Sequence, residues 1–384
     1  MALELAPLEA LPAAVERAVG AKAPPPLKMM AARGMAPLPP AELLTALYQL
    51  TFSDDDAIKS IAFKTAAELP ERVIGGALGE PLDARVLDFF ARRVFGKPPL
   101  LEKLLLNRAT ADETFQHLAT LVPEEALEMI AKNEERLLRH PPIIAALYLN
   151  PKTRMSTAQR ALELAVRNQV RVEGIPAFDE AARAIQQSGQ SDPAELARQD
   201  AAFARAAEVA VDQAAALQLI AVDEKEALAQ AEAEALAAEQ AVESPDVADE
   251  EKKLKISELS PAGKIRLATL GNGFARAVLI RDTNRLVAMA AIRSPAVTDM
   301  EVMRYANNRG LDDEIVRYIA NRRQWVRLYG IKVALCNNPK CPLPVAMRFL
   351  PHLNVRDLKA LARSKGIPSA LCTAAKQMLT QRNA

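Results

Sequence analysis

Residues 286–305 read LVAMAAIRSPAVTDMEVMRY and residues 330–349 read GIKVALCNNPKCPLPVAMRF. Pro295 and Pro339 stand at matching places, 44 residues apart (339 − 295 = 44). In each stretch an apolar, helix-forming run meets a turn that carries Ser or Asn before Pro, and a second run follows. Helix, tight turn and helix at a fixed interval is the grammar of an α-helical repeat, because a short helix pair buries its apolar face only against the next pair. The spacing therefore predicts short helices following one another from Ser260 to Arg382.

The same turn occurs upstream. Leu106-Asn107-Arg108-Ala109-Thr110 matches Leu149-Asn150-Pro151-Lys152-Thr153 at an interval of 43 (150 − 107 = 43), and Asn150-Pro151-Lys152 aligns with Asn338-Pro339-Lys340. Ile130-Ala131-Lys132-Asn133 lies about as far before the first of these as Ile319-Ala320-Asn321-Arg322 lies before the second. The two halves thus read as copies of one architecture. Helix starts are predicted at the capping boxes Thr110 with Glu113, Ser156 with Gln159 and Thr298 with Glu301, where a hydroxyl accepts from a free first-turn amide and the later side chain bonds back. Ser260-Pro261, Val122-Pro123 and Cys341-Pro342 place Pro where a first helical residue needs no amide partner. Asp312-Asp313-Glu314 and Pro123-Glu124-Glu125 bring carboxylates to the positive end of a helix dipole.

Composition agrees with an all-α chain. Half of the 384 residues are apolar, yet only 4% are aromatic, and glycine is held to 14 residues. Close helix packing is served by Ala and Leu, whereas sheets lean on β-branched and aromatic side chains. The net charge of +1 hides a dipolar chain. Residues 1–172 hold 21 basic and 21 acidic side chains, residues 173–251 hold 4 and 19, and residues 252–384 hold 24 and 8, giving 0, −15 and +16. Such asymmetry predicts that the acidic and basic parts meet each other or meet different partners.

Residues 2–19 carry Leu5, Leu8, Leu11, Val15 and Val19 at near-helical spacing, read as a helix capping the first repeat or docking a partner; Pro24, Pro25 and Pro26 then break the chain. Gln199–Val242 is Ala- and Glu-rich, with neither Gly nor Pro between Ala194 and Ser244. It reads as one long helix or a hairpin breaking near Val222, followed by an acidic linker at 244–251. The organisation is accordingly an N-terminal helix and Pro-rich linker (1–27), a helical array (28–187), an acidic Ala/Glu-rich helical insertion (188–253) and a basic helical array (254–384). No secretory leader or 18-residue apolar span is legible, and three cysteines suit a reducing compartment, so the expectation is a cytoplasmic protein without a membrane span.

Chemistry-bearing residues are few. Cys336 and Cys341, with His352 and Cys372 downstream, match no common zinc spacing and read as small core residues. His117 and His140 stand apart on surface or turn positions and suggest no acid–base pair. There is no nucleophile elbow, GxGxxG or Walker pattern, and no pair of carboxylates stands out. No catalytic residue, cofactor-binding residue or metal ligand is assigned, no cofactor is expected, and the chain is read as not an enzyme. The functional clue is the basic surplus. Arg317, Arg322, Arg323, Arg327 and Lys332 surround Trp325 and Tyr329, and Arg348, Arg356, Lys359, Arg363 and Lys365 follow; these are the candidate residues for an anionic partner. The alternative reading of that surplus is that Arg stems cover apolar helix surface and balance the acidic insertion.

Residues 293–325, RSPAVTDMEVMRYANNRGLDDEIVRYIANRRQW, and 335–375, LCNNPKCPLPVAMRFLPHLNVRDLKALARSKGIPSALCTAA, resemble bacterial short-helix solenoids of the HEAT-like and leucine-rich-repeat-variant kind. The resemblance covers residues 260–382 and, more faintly, 41–187. It implies an α-solenoid of short HEAT-like repeats in two arrays, presenting a curved surface to other macromolecules. Some leucine-rich-repeat-variant proteins carry an N-terminal cysteine cluster for iron and sulfur; this chain has no cysteine there, so that cofactor is not implied. The expected function is a noncatalytic adaptor or scaffold for protein partners, possessing an acidic insertion that competes for its own basic array. Nucleic-acid binding by the basic array is the alternative, and an enzyme on a helical scaffold the third reading.

Overall fold

The computed structural model describes residue 3 and residues 5–188, 193–211 and 247–383; the described residues contain 24 α-helices and two 3-10 turns, and no strand occurs among them. Much of the acidic insertion, residues 189–192 and 212–246, lies outside the described residues, and with it the choice between one helix and a hairpin. The chain divides into two units, Met1–Gly174 and Ile175–Ala384.

In the first unit the segment before the first helix lies on the helix Pro40–Leu50. Tyr48 Oη donates to the Ala6 carbonyl at 2.7 Å, the Leu8 amide donates to Gln49 Oε1 at 2.9 Å, and Leu8 is buried. The helix proper begins only at Ala13, behind Pro12, and buries Val15, Ala18 and Val19. Residues 5–19 therefore cap the unit. Beyond it the helices form two alternating rows. Glu71–Ala77 packs on Pro98–Leu106, which packs on Glu124–Ala131, while Ala84–Val94 packs on Asp112–Leu121 and that helix on Pro142–Leu149.

The second unit repeats this succession. Pro261–Leu270 packs on Arg285–Arg293 and that helix on Asp313–Asn321, while Asp299–Asn307 packs on Tyr329–Asn337 and that helix on Val355–Arg363. Helix starts correspond at a nearly constant offset, as 285 − 98 = 187, 299 − 112 = 187 and 329 − 142 = 187 show. The short helix Glu134–Arg139 has its counterpart in the 3-10 turn Trp325–Arg327.

The interval of 44 is not a single helix pair. Between the matching turns lie Asp299–Asn307, Asp313–Asn321 and the 3-10 turn, ahead of Tyr329–Asn337. The sequence period skips them because the intervening turns, Asn308-Arg309-Gly310 and Arg322-Arg323-Gln324, contain no proline. The Pro193–Ala210 helix, which composition assigns to the insertion, buries Phe203, Ala206 and Ala210 within the second unit, and the Asn272 amide donates to the Ala210 carbonyl at 2.7 Å.

Helices this short leave nearly half their backbone groups without an internal partner, since each end orphans four. Asparagines at the helix C-termini solve this. Asn150 donates from Nδ2 to the Ala119 carbonyl at 2.8 Å, and its Oδ1 accepts from the Lys152 amide at 2.9 Å. Asn338 donates to the Ala306 carbonyl at 2.8 Å and accepts from the Lys340 amide at 3.0 Å. Asn107 does the same with the Leu78 carbonyl at 2.7 Å and the Ala109 amide at 2.9 Å. Each side chain ties its own turn to the frayed end of a helix about one row earlier.

The equivalent buried junction carries different charges in the two units. Asp88 accepts from Thr114 Oγ1 at 2.8 Å and from Arg92 Nη2 at 2.8 Å. At the matching place (276 − 88 = 188) Arg276 donates to Glu301 from Nε at 3.1 Å and from Nη2 at 3.2 Å, and Glu301 closes the capping box with Thr298. The other two boxes do not form. Thr110 Oγ1 turns back to the Leu104 carbonyl at 2.7 Å, and Ser156 falls inside the helix Met155–Arg167. Of the prolines, Pro261 occupies the first helical position, whereas Pro123 and Pro342 sit one residue earlier, at the cap itself.

Asn150→Ala and Asn338→Ala each strand a buried carbonyl and a turn amide, and each is expected to destabilise the protein by about 2 to 3 kcal/mol, against about 1 kcal/mol for Asn107→Ala at its half-buried turn. Urea denaturation followed by circular dichroism ranks the three; losses under about 0.5 kcal/mol at both buried positions would remove the bridges from the account of the fold.

Candidate anion-binding surface

The basic candidates lie on successive elements of the second unit. Asp312 caps Asp313–Asn321 by accepting from the Glu314 amide at 2.8 Å, and Ile315, Val316, Ile319 and Ala320 face the core. Arg317 is thereby left on the outer side, exposed. Arg322 ends this helix and bends back, its guanidinium 4.6 Å from the Tyr318 ring centroid and hydrogen-bonded to Tyr318 Oη. Arg323, Arg327 and Arg348 are exposed, and Lys332 is half-buried.

Trp325 and Tyr329 do not share a helix. Trp325 lies in the 3-10 turn, buried edge-on against Tyr318 at 5.9 Å, and Tyr329 opens the next helix after Leu328. Tyr329 Oη donates to the Asp357 carboxylate and accepts from the Asn354 amide at 3.0 Å. These contacts make Trp325 a packing residue and Tyr329 a strut, so the two do not form a stacking platform. Helical periodicity alone runs them together because no Pro or Gly marks the break at Leu328.

The helix Val355–Arg363 follows from the same rules. Asn354 caps it by accepting from the Asp357 amide at 2.8 Å, and Leu358 and Leu361 are buried. The opposite face carries Val355, Arg356, Lys359, Ala360 and Arg363, which line an open depression of about 490 Å³. Sequence reading named the three cations and missed Val355 and Ala360; the one-, three- and four-residue spacing around Leu358 is the signal that places them together. Lys365 is exposed beyond the helix end.

Elsewhere in the unit four cations find carboxylates across the packing: Lys264 with Asp282 at 2.9 Å, Arg276 with Glu301, Arg293 with Glu180 at 2.8 Å, and Arg285 with Glu314. Among the described residues Arg317, Arg323, Arg327, Lys332, Arg348, Arg356, Lys359, Arg363 and Lys365 make no ion pair.

The cysteines are all free thiols. Cys336 donates to the Ala346 carbonyl at 3.7 Å, and burial pushes its thiol up to about 12. Burial likewise pushes Cys341 up to about 11, while half-buried Cys372 donates to the Ser364 carbonyl at 3.4 Å. Thiols so raised are poor nucleophiles at neutral pH. Among the described residues no three of His, Cys, Asp or Glu come together to hold a metal ion, and no helix is long and apolar enough to cross a membrane. Of the remaining histidines, His140 lies 2.9 Å from Gln116 Oε1, and burial lowers the pKa of His117.

No protein-family model, curated protein or solved structure matches this chain.

Trp325 is the single tryptophan, so its emission reports this site alone. A buried ring predicts blue-shifted fluorescence, weak acrylamide quenching and full retention of anion binding in Trp325→Phe. Strong quenching together with loss of binding in that variant would instead make the ring a contact for the partner.

Proposed function

We propose that this chain is a noncatalytic adaptor that holds an anionic protein partner on the exposed basic surface of its second unit. The observation that carries the reading is the set of nine cations without a carboxylate, among the described residues between Arg317 and Lys365, in a unit where Lys264, Arg276, Arg285 and Arg293 are paired. Clustered like charges repel one another, so an arrangement of this kind contributes little to folding and raises the encounter rate with an oppositely charged surface. The helical succession is read as HEAT-like solenoid arrays, a reading supported by the alternating rows and by the offset of 187 between the units. Three free thiols suit work in the cytoplasm.

Nucleic acid is the second reading, supported by the same cations and weakened by the absence of an available aromatic stack at Trp325 and Tyr329. The acidic residues, −15 over 173–251, are read as an intramolecular competitor for the basic surface, since 252–384 carries +16. The Pro193–Ala210 helix belongs to the second unit's packing, so the competitor is best removed by deleting 212–246 alone.

Anisotropy titrations of the full chain against a labelled acidic peptide, single-stranded DNA and RNA, run across a salt series, test the reading. Peptide binding that weakens with salt, and that strengthens about fivefold or more when 212–246 is replaced by a flexible linker, is the expected result. A nucleic acid bound more tightly than the peptide, with a steep salt slope, would transfer the function to the second reading. Unchanged affinity on deletion would sink the competitor.

A further inference from the structure

We infer that the outer face of the helix Val355–Arg363 is the docking site for an acidic amphipathic helix, with carboxylates meeting the stripe of Lys359, Arg363 and Arg356 and an apolar residue seated on Val355 at its edge. The inference rests on the adaptor reading and narrows it to one face and one class of partner.

Charge identifies the sign of the occupant. The face presents three exposed cations, and the carboxylate on the same helix is directed elsewhere, since Asp357 accepts the Tyr329 hydroxyl on another side. Apolar surface identifies its texture. Val355 is 39% exposed at one edge of the cation stripe, and Ala360 at the other edge is too small to screen the backbone. A phosphate backbone would gain nothing from Val355, whereas an apolar residue of a helix would be dehydrated there. Spacing identifies its shape. Steps of three and four residues from Arg356 to Lys359 to Arg363 correspond to about 4.5 and 6 Å along the axis, the same steps at which Glu recurs on one side of a helix. The platform is also firm, because Leu358 and Leu361 anchor it and the long C-terminal helix Ser369–Asn383 packs against it. A partner helix lying there would thus meet preorganised charges rather than ordering them on arrival.

The test uses the full chain and a synthetic amphipathic helix with Glu along one stripe and Leu at its edge, labelled for anisotropy, beside polyglutamate and a single-stranded oligonucleotide of equal charge. The Leu/Glu helix is expected to bind about tenfold more tightly than either control. The triple reversal R356E/K359E/R363E should weaken it by about tenfold or more, the loss expected of three exposed charge pairs, and Val355→Ser by about threefold. Arg33→Glu with Arg72→Glu on the first unit should leave it unchanged, and circular dichroism checks that each variant is folded. Polyglutamate or the oligonucleotide binding as tightly as the Leu/Glu helix would overturn the helical occupant. Loss of binding on reversing Arg317, Arg323 and Arg327 but not the helix cations would overturn this site while leaving the adaptor reading intact. Insensitivity to both sets of reversals would overturn the site and the adaptor reading together.

Discussion

Everything in this fold depends on how very short helices finish. A nine-residue helix such as Asp299–Asn307 forms internal bonds for barely half of its carbonyls, and the rest must find partners or water. In a stack of rows water is excluded from the inner ends, so the carbonyls there need donors carried by the protein. Asn is suited to this because one side chain both donates and accepts. With its Oδ1 it holds the amide two residues on, and with its Nδ2 it reaches the orphan carbonyl of an earlier helix. Asn150 and Asn338 do this in matching positions, on Ala119 and Ala306 (306 − 119 = 187). The bond therefore sets the turn and the distance between rows at once. An aspartate would lack the donor, and a glutamine would move the amide one methylene away from the turn it closes.

How far this was legible in the sequence follows from the same bond. Asn150-Pro151-Lys152 and Asn338-Pro339-Lys340 are visible because Pro rigidifies the turn that Asn closes, and from them come the helical class and the likeness of the two halves. Turns built without Pro, at Asn308 and Arg322, do not show in the 44-residue period, and the helices they join are legible only from the Thr298 capping box and the acids Asp312-Asp313-Glu314. Capping boxes are legible only when nothing better competes for the hydroxyl. Thr298 has no rival and caps, whereas Thr110 sits three residues after the Asn107 turn and is drawn to the Leu104 carbonyl that the turn presents. Composition draws its boundary at 188 without regard to packing. Between Pro193 and Ala210 the buried side chains are Ala202, Ala206, Ala210 and a single Phe203, and Ala-rich packing is indistinguishable in composition from an Ala-rich exposed helix.

The buried polar junction shows what the fold will and will not fix. Asp88 with Thr114 and Arg276 with Glu301 occupy equivalent places, yet the first is a carboxylate served by a hydroxyl and an arginine, the second an arginine served by a carboxylate. The place demands that a buried charge be matched and hydrogen-bonded; it does not prescribe the sign. Sequence comparison of the halves therefore loses the correspondence at the point where the structure keeps it, and only the geometry brings Asp88 and Arg276 into register.

That requirement also separates the charges the fold uses from those it does not in the second unit. A cation that the fold uses can be recognised by its partner: Arg276 by Glu301, Arg322 by the Tyr318 ring, and Arg382 by the Leu353 carbonyl at 2.6 Å. Removing any of these leaves something behind that was satisfied. Arg356, Lys359 and Arg363 leave nothing behind, because no group among the described residues is satisfied by them, and their neighbours on the face are Val355 and Ala360. Their stems can shield some apolar surface, yet a glutamine stem of similar length would do so without mutual repulsion. What three aligned positive charges add over three neutral stems is a field outside the protein.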